Sequence, residues 1–483
     1  MQRNTLIKSV STLGLLLLST LSHAKSPLPL ELSPCFIDGL AQQVQCGKLA
    51  VPENWDQPDG ATLNLNVAVI PAIAATPKKD PLFLLMGGPG QAAVELAPML
   101  ARVFSKARQS RELVLIDQRG TGQSNPLLCE DEDSDAYGDV YSDFSIQDLK
   151  TCIDNYPVGL SHYNTNNAVL DFEAVRQALG YQQINLYGIS YGSRAALVYM
   201  REKPAALRSV ILDGVVPTQV VVGPMGSEAS RAFDILVKQC SERENCQQQY
   251  PNLHRDYQKI KQQLATETLV TQVSHPVTDL PITLRVDSKK FIELLRSQMY
   301  SNVTRTLIPY IITEFAKANY KPFIGMMSQN EDSKSNMYIG LTFNILCNED
   351  IPRITPQLLK QELANTFSGR HSLETFTDIC QSWPKFTPPS NFGDAVNSSI
   401  PTMLLSGRLD PVTPPAWGDI AAKGLSNSKH YVAKKAGHGL VTQTCAADMV
   451  NDFIENVSFD DVDASCLEQV PTRGFLLNNN GNW

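Results

Sequence analysis

The stretch Gly188-Ile189-Ser190-Tyr191-Gly192 places a serine between two glycines, each two positions away from it. An apolar run at 184–187 precedes this stretch, and residues 194–200 follow it with a helical pattern. At a sharp turn from strand to helix, side chains at the two glycine positions would collide, and glycine has no Cβ to collide. The turn lifts the Ser190 hydroxyl out of the sheet edge, and the next helix directs its positive N-terminus toward it. The stretch therefore predicts an exposed nucleophilic serine after a buried strand.

Short apolar runs with the continuous character of buried parallel strands recur on both sides of Ser190. They lie at 81–86, 113–116, 184–187, 210–212, 402–405 and 429–433. A helical pattern of apolar residues over 168–179 ends at Gly180, a typical C-terminal cap. Strands that alternate with helices predict an α/β fold with a mostly parallel central sheet and right-handed crossovers.

An edge hairpin and a helical insertion complete the predicted architecture. Residues 45–52 and the alternating segment 63–69 flank a turn at Pro58-Asp59-Gly60, which predicts an antiparallel hairpin. After Pro217 the strand pattern fades and polar helical stretches dominate. We therefore expect a core in two parts, 25–216 and 396–483, with a mostly helical cap at 217–395 between them.

The first 24 residues have the pattern of a secretory signal peptide. Arg3 and Lys8 precede a short apolar segment at 13–18, and Ser22-His23-Ala24 is a small-residue cleavage site. The apolar segment is far shorter than the roughly 20 residues of a membrane span, which disfavours an uncleaved anchor. Removing the segment takes the net charge from −8 to −10, and no long basic run is present. The sequence thus predicts an exported protein, periplasmic or extracellular, that does not bind nucleic acid.

All ten cysteines follow the predicted cleavage site, and their even number in an exported chain favours disulfides. The sequence does not fix the connectivity, although the grouping suggests neighbour pairing. The pairs would be 35–46, 129–152, 240–246, 347–380 and 445–466. No Cys-x-x-Cys and no Cys/His spacing typical of zinc is present, so we expect no metal.

A serine nucleophile needs a base, and the base needs an orienting carboxylate. Asp410 follows the strand-like run 402–405, and His438 lies between glycines after the run 429–433. This gives the chain order Ser, Asp, His that is typical of the serine turn described above. Asp213 and Asp419 are the alternatives for the acid. The other histidines have a less favourable setting; they are His23, His162, His254, His275, His371 and His430.

An oxyanion formed during acyl transfer needs backbone N–H donors. The residue after the nucleophile, Tyr191, should supply one donor. Gly87-Gly88-Pro89-Gly90 follows the run 81–86, and glycine permits close approach to a substrate. The Gly88 N–H is therefore the expected second donor.

These motifs together resemble the proline iminopeptidase and tripeptidyl aminopeptidase group of α/β-hydrolase serine peptidases. The matching segments are Gly87–Gly90, Asp117–Ser124, Gly188–Ser193, Leu409–Pro414 and Gly437–Gly439. Two departures matter: Met86 stands where the family usually has histidine, and Tyr191 stands where proline iminopeptidases usually have tryptophan. The second departure favours the tripeptidyl branch. In such a family Asp117 and Arg119 have structural roles.

The resemblance also implies cap carboxylates that hold the α-ammonium of the substrate. Glu349 is the candidate, with Asp350 second, in the segment Cys347-Asn348-Glu349-Asp350. A carboxylate there would form a charge-assisted hydrogen bond. Charged residues are mostly exposed, so a solvated helix end is an equally good interpretation of the two acids.

The sequence thus predicts an exported serine exopeptidase that releases short peptides or amino acids from peptide N-termini. It would use Ser190, His438 and Asp410 and require no cofactor. Peptides are the expected partners, with no stable membrane insertion after signal removal; the oligomeric state stays open. The alternatives are a secreted carboxylesterase or lipase-like hydrolase with the same triad, and a binding protein on an inactive hydrolase fold.

Overall fold

A computed structural model describes residues 29–129, 136–138, 151–156, 159–332 and 337–481. The predicted signal peptide, residues 1–24, lies outside the described residues. In the part of the chain that is described, no helix is both long and apolar enough to cross a bilayer.

Within the described segments, nine strands form one sheet in the order β1-β2-β3-β5-β4-β6-β7-β10-β11. Its strands are β1 Ser33–Cys35, β2 Val44–Pro52, β3 Thr62–Ile70, β4 Leu82–Leu85, β5 Leu113–Ile116, β6 Ile184–Ile189, β7 Leu207–Asp213, β10 Thr402–Gly407 and β11 Ser428–Ala433. The pairs β1–β2, β2–β3 and β3–β5 are antiparallel, and all the others are parallel. The mostly parallel sheet and the β2–β3 hairpin confirm the sequence prediction. The strand β1 was not predicted, and it, rather than the hairpin, forms the edge.

The strand order reverses at β4, which lies between β5 and β6. Loops at the carboxyl ends of strands on either side of such a switch point diverge and leave a crevice, where open α/β sheets bind ligands. β4 and β6 are adjacent, so the glycine loop after β4 and Ser190 after β6 lie next to each other at the carboxyl ends of the strands.

Helices connect the strands and build the insertion between β7 and β10. They are α1 Ala97–Val103, α2 Thr165–Ala178, α3 Tyr191–Glu202, α4 Gly226–Ser241, α5 Glu244–Gln249, α6 Leu253–Thr266, α7 Ser288–Gln298, α8 Ile308–Ala316, α9 Lys321–Asp332, α10 Ile339–Ile345, α11 Pro356–Leu363, α12 His371–Ser382, α13 Pro415–Ala422, α14 Leu440–Gln443 and α15 Ala446–Asn456. A π-helical turn, Leu346–Asp350, extends α10.

The two faces of the sheet bury separate apolar clusters. Phe83 and Leu85 of β4 face a cluster that includes α2 and α3, whereas Leu82 and Leu84 face one that includes α1 and α15. This alternation follows from the two-residue period of a strand. Burial on both faces explains why the strands read as continuous apolar runs.

The insertion has an apolar core of its own, in which Phe233, Tyr257, Phe291 and Phe367 pack together. It is mostly helical but also contains a two-stranded hairpin, β8 Leu269–Ser274 and β9 Pro281–Val286. The hairpin was not predicted, because β8 alternates between half-buried and exposed residues and carries no continuous apolar run. The cap boundaries 217–395 stay a prediction.

The structure confirms neighbour pairing of all ten cysteines. The disulfides are Cys35–Cys46, Cys129–Cys152, Cys240–Cys246, Cys347–Cys380 and Cys445–Cys466.

Candidate active site

Ser190 lies at the turn between β6 and α3 with φ 55° and ψ −126°. A positive φ is rare for a residue with a Cβ and marks a strained turn. A Cβ on Gly188 would overlap the carbonyl oxygen of Gly192, and a Cβ on Gly192 would overlap that of Leu85. Both glycines are therefore required by backbone packing around the serine, as their spacing predicts.

Asp410 and His438, which are 28 positions apart in the chain, form a hydrogen-bonded pair. Asp410 Oδ2 lies 2.8 Å from His438 Nδ1. The carboxylate also accepts bonds from the Thr413 hydroxyl at 2.6 Å and from the N–H groups of Val412 and Thr413 at 2.8 Å each. Asp410 is fully buried, and the His438 side chain is 10% exposed. The buried acid is thus held in one orientation by the loop that follows β10.

Each member of this pair shifts the pKa of the other. Burial would raise the pKa of Asp410, but the attraction and hydrogen bond of His438, with the bonds from Thr413, lower it below its ordinary value. Burial would lower the pKa of His438, but the Asp410 charge and hydrogen bond, with the more distant Asp213, raise it above 6.5. The pair therefore favours an imidazolium beside a carboxylate, which is the state that forms when a histidine accepts a proton from a nucleophile.

The last residue of β7 and the residue that follows it contact Ser190 and His438. The Ser190 N–H donates to the Asp213 carbonyl at 2.8 Å. The next residue, Gly214, faces the imidazole, since a Cβ there would lie 3.0 Å from His438 Cε1. Within segments 159–332 and 337–481, no hydrogen bond joins the Ser190 hydroxyl to His438. Catalytic hydrogen bonds are often long in unliganded enzymes and tighten when substrate binds.

The glycine loop after β4 packs directly against the serine. A Cβ on Gly87 would lie 2.9 Å from Ser190 Cβ. The Gly87 N–H donates to Gln91 Oε1 at 3.1 Å, so this group is already engaged. Gly88, at φ 108°, has a conformation that favours glycine. Tyr191 is the first residue of α3, where an N–H has no intrahelical acceptor. The N–H groups of Gly88 and Tyr191 remain the predicted oxyanion donors.

The comparisons with known proteins agree with this geometry. A family model described as "TAP-like protein" matches residues 365–466, which include Asp410 and His438. The serine protease Hip1 of Mycobacterium tuberculosis is 29% identical over 462 residues, covering 84% of this chain and 85% of that protein. The chain has the α/β-hydrolase fold and is similar to serine peptidases. Two shorter matches are the tripeptidyl aminopeptidase of Streptomyces lividans, 26% identical over 194 residues (37% of this chain, 36% of that protein), and carboxylesterase B of M. tuberculosis, 30% identical over 193 residues (36% and 37%).

The two cap carboxylates of this α/β-hydrolase have internal partners. Glu349 is 1% exposed and accepts bonds from the Thr165 N–H at 2.8 Å and the Thr165 hydroxyl at 2.5 Å. The Thr165 hydroxyl oxygen also lies 2.7 Å from the Tyr191 hydroxyl, which connects Glu349 to the residue after the serine. Burial raises the pKa of Glu349 to about 7, although the Thr165 bonds oppose the shift.

Asp350 is fully buried in an ion pair with Arg194 of α3, both oxygens lying 2.8 Å from Nη1. It also accepts bonds from Arg353 at 3.1 Å and from the Val222 N–H at 2.8 Å. Thr165 is thus already bonded to Glu349, and Arg194 and Arg353 are already bonded to Asp350. The role of both residues in substrate binding stays a prediction.

The alternative acids and histidine occupy other positions in the hydrolase. Asp213 is buried and accepts bonds from the Leu440 and Val441 N–H groups at 2.8 and 3.1 Å, so it holds the start of α14. Asp419 and His430 form a second Ser–His–Asp array with Ser406: His430 lies 2.9 Å from each partner. Ser406 is fully buried within β10, which excludes substrate from its hydroxyl.

Asp117 and Arg119 have the structural contacts that the resemblance implies. The Arg119 guanidinium forms a buried two-pronged ion pair with Asp171, with both distances 2.6 Å. Asp117 accepts bonds from the Asn66 amide at 2.8 Å and the Val94 N–H at 2.9 Å. Both residues thereby tie the loop after β5 to segments that are distant in the chain.

Sequence reasoning missed three residues that contact His438. Thr413 Oγ1 lies 3.0 Å from Nδ1, Tyr300 of the insertion packs its ring edge-on to the imidazole at 5.1 Å, and Gln443 donates to the His438 carbonyl at 2.6 Å. Thr413 stands in the motif Leu409–Pro414, so its position was visible. Tyr300 and Gln443 carry no local signal.

Proposed function

We propose that this chain is an exported serine exopeptidase that releases short peptides or amino acids from peptide N-termini. The observation that carries the proposal is the Asp410–His438 pair beside the strained Ser190 turn. The similarity to serine protease Hip1 along most of the chain supports a peptide as the substrate. The partial match to a tripeptidyl aminopeptidase supports cleavage near the N-terminus.

In the proposed reaction, Ser190 Oγ attacks the scissile carbonyl while His438 accepts its proton. Because Nδ1 is bonded to Asp410, the other ring nitrogen, Nε2, is the one available to the serine. Asp410 holds this tautomer and stabilises the imidazolium. His438 then donates the proton to the leaving amine, and an acyl-enzyme remains on Ser190. A water molecule, deprotonated by His438, hydrolyses the acyl-enzyme and regenerates the serine.

The oxyanion of each tetrahedral intermediate would accept hydrogen bonds from the N–H groups of Tyr191 and Gly88. The loop that carries Gly88 is held by the insertion: the Tyr338 N–H donates to the Gly90 carbonyl at 2.8 Å, and the Thr342 hydroxyl donates to the Pro89 carbonyl. Donors that are fixed before the reaction stabilise the developing charge without reorganisation.

Glu349 is our candidate for the group that binds the substrate ammonium. It is a buried carboxylate connected through Thr165 to the residue after the nucleophile. An ammonium that replaced the Thr165 hydroxyl would form a charge-assisted hydrogen bond and shift the glutamate toward its ionised form. Glu349→Gln should therefore raise KM for peptides with a free N-terminus and leave the hydrolysis of small esters within about twofold.

Export is supported by the five disulfides, in which all ten cysteines are paired, because disulfides persist in oxidising compartments. The signal-like residues 1–24 agree with this localisation. N-terminal sequencing of the protein from the culture medium or periplasm of its host should begin near Lys25. An intact Met1 on the exported protein would contradict the proposed cleavage.

Digestion of a peptide library by the mature protein, read by mass spectrometry, tests the proposal. We expect products shortened from the N-terminus only, and no cleavage of the same peptides after acetylation of the α-amino group. Ser190→Ala serves as the inactive control. Internal cleavage of acetylated peptides would identify an endopeptidase instead.

The second candidate function is a carboxylesterase that uses the same residues. The match to carboxylesterase B over about a third of the chain favours it. The two functions are separated by comparing kcat/KM for a tripeptidyl anilide with that for a p-nitrophenyl ester of matched acyl length. Preference for the ester over the anilide beyond their difference in intrinsic reactivity would favour the esterase.

A further inference from the structure

We propose that Gln443 is a positioning residue that fixes His438 against the insertion, an inference that rests on the proposed role of His438 as the base. Gln443 is the last residue of α14 and is partly buried. Its side-chain amide bonds to two loops at once: the loop 437–439, which carries His438, and residues 300–302 of the insertion.

The amide of Gln443 uses both its acceptor and its donors. Oε1 accepts from the Gly437 N–H at 3.1 Å and from the Asn302 N–H at 3.0 Å. Nε2 donates to the His438 carbonyl at 2.6 Å, to the Tyr300 carbonyl at 3.2 Å and, more weakly, to the Gly439 carbonyl at 3.5 Å. On each loop the amide thus holds an N–H and at least one carbonyl, an arrangement that a carboxylate or an apolar side chain cannot reproduce.

The insertion completes the support of the histidine backbone. The His438 N–H donates to the Tyr300 carbonyl at 2.8 Å, so the carbonyl that Gln443 contacts is the same one that holds His438. The two backbone segments approach so closely that a Cβ on Gly437 would overlap the Tyr300 carbonyl oxygen. Both backbone polar groups of His438 therefore bond to this assembly of Gln443 and Tyr300.

This support acts on the main chain, whereas Asp410 acts on the ring. Asp410 orients the imidazole through Nδ1, whereas the position of the His438 Cα depends on the backbone of the loop 437–439. A misplacement of about 1 Å in a catalytic group can reduce the rate about 10²-fold. Gln443 lies in the core and Tyr300 in the insertion, so the position of the base depends on how the insertion is seated.

The test compares three variants of the mature protein. Gln443→Met removes all the hydrogen bonds of the amide at similar volume, Gln443→Asn keeps the amide one methylene shorter, and Gln443→Glu keeps the acceptor but loses both donors. We expect kcat to fall about 10²-fold in Gln443→Met and less in Gln443→Asn, with KM within threefold. Gln469→Glu, at an exposed position of the same terminal segment, controls for the added charge.

The pH profile separates positioning from a structural role. A carboxylate at 443 would favour the imidazolium, so the acid limb of kcat/KM should move to higher pH in Gln443→Glu and stay in place in Gln469→Glu. Rates are normalised to the folded fraction measured by circular dichroism, which keeps a partly folded variant informative.

The proposal is overturned if folded Gln443→Met and Gln443→Glu retain kcat within twofold and the acid limb does not move. It is equally overturned if the loss appears in KM alone. Ser190→Ala is assayed beside them: full activity in that variant would refute the proposed function itself, independently of Gln443.

Discussion

The substitution Asp410→Asn separates the charge of the acid from its shape. Oδ1 of Asp410 accepts the Val412 and Thr413 N–H groups, and Oδ2 accepts the Thr413 hydroxyl and faces His438 Nδ1. An asparagine must keep its oxygen at the Oδ1 position. If the amide were flipped, its NH₂ group would face two buried N–H donors, which would then lack an acceptor. Each such unsatisfied group costs about 1–3 kcal/mol.

The amide nitrogen therefore faces His438 and donates to Nδ1. This places the ring proton on Nε2, and the imidazole can no longer accept the Ser190 proton. The wrong tautomer in a serine–histidine–aspartate site reduces kcat about 10⁴-fold. That reduction corresponds to about 5.4 kcal/mol at 1.36 kcal/mol per tenfold change in rate.

The assay measures kcat on a chromogenic peptide anilide, with circular dichroism to confirm folding. The matched control is Asp419→Asn, since Asp419 lies 2.9 Å from His430 in the second Ser–His–Asp array, close to the 2.8 Å between Asp410 and His438. We expect the control to stay within about twofold of wild type. An Asp410→Asn enzyme that is folded and retains more than a tenth of the wild-type kcat would refute the assignment of Asp410.

Three further outcomes follow from burial, covalent links and charge. Gly188→Ala should destabilise the fold by about 3 kcal/mol or more in urea unfolding, because its Cβ meets a carbonyl oxygen, whereas Gly325→Ala, with open space around it, should not. Replacing both cysteines of a disulfide by alanine should lower the free energy of unfolding by about 3.7 kcal/mol at Cys347–Cys380 and by about 2.2 kcal/mol at Cys240–Cys246. The losses differ because the two disulfides close loops with sequence separations of 33 and 6. Equal losses of stability in the two variants would contradict this prediction. Because the pKa of His438 is raised above 6.5 and the base must be neutral, kcat/KM should increase with pH through a limb centred above 6.5, and a limb below 6.5 would contradict the pairing.

The elements that the sequence predicts well are those with a local cause. The inner parallel strands, such as β10, are buried on both faces and read as apolar runs, whereas the edge strand β11 also has exposed residues. Asp410 and His438 follow β10 and β11 within five positions. The glycines around Ser190 are fixed by contacts within one turn and with the adjacent strand. The location of these residues in the fold can therefore be predicted from their position in the chain relative to the neighbouring strands.

The parts that escaped prediction depend on contacts between distant segments. Gln443 meets Tyr300 across 143 positions, and Glu349 meets Thr165 across 184. Neither pair has a spacing or a periodicity that a single sequence reveals. The two acids of Cys347–Asp350 could equally be solvated or buried from the sequence alone, and tertiary packing alone decides that both are buried.

Labelling of the mature protein with a fluorophosphonate, followed by peptide mapping, would identify the nucleophilic serine. Among the residues that the structure describes, Ser190 lies at a strained turn beside the glycine loop, whereas Ser406 of the second Ser–His–Asp array is fully buried in a strand. We expect one adduct, on Ser190, which is lost in Ser190→Ala and retained in Ser406→Ala. An adduct on another serine, or hydrolytic activity that persists without any label on Ser190, would contradict it.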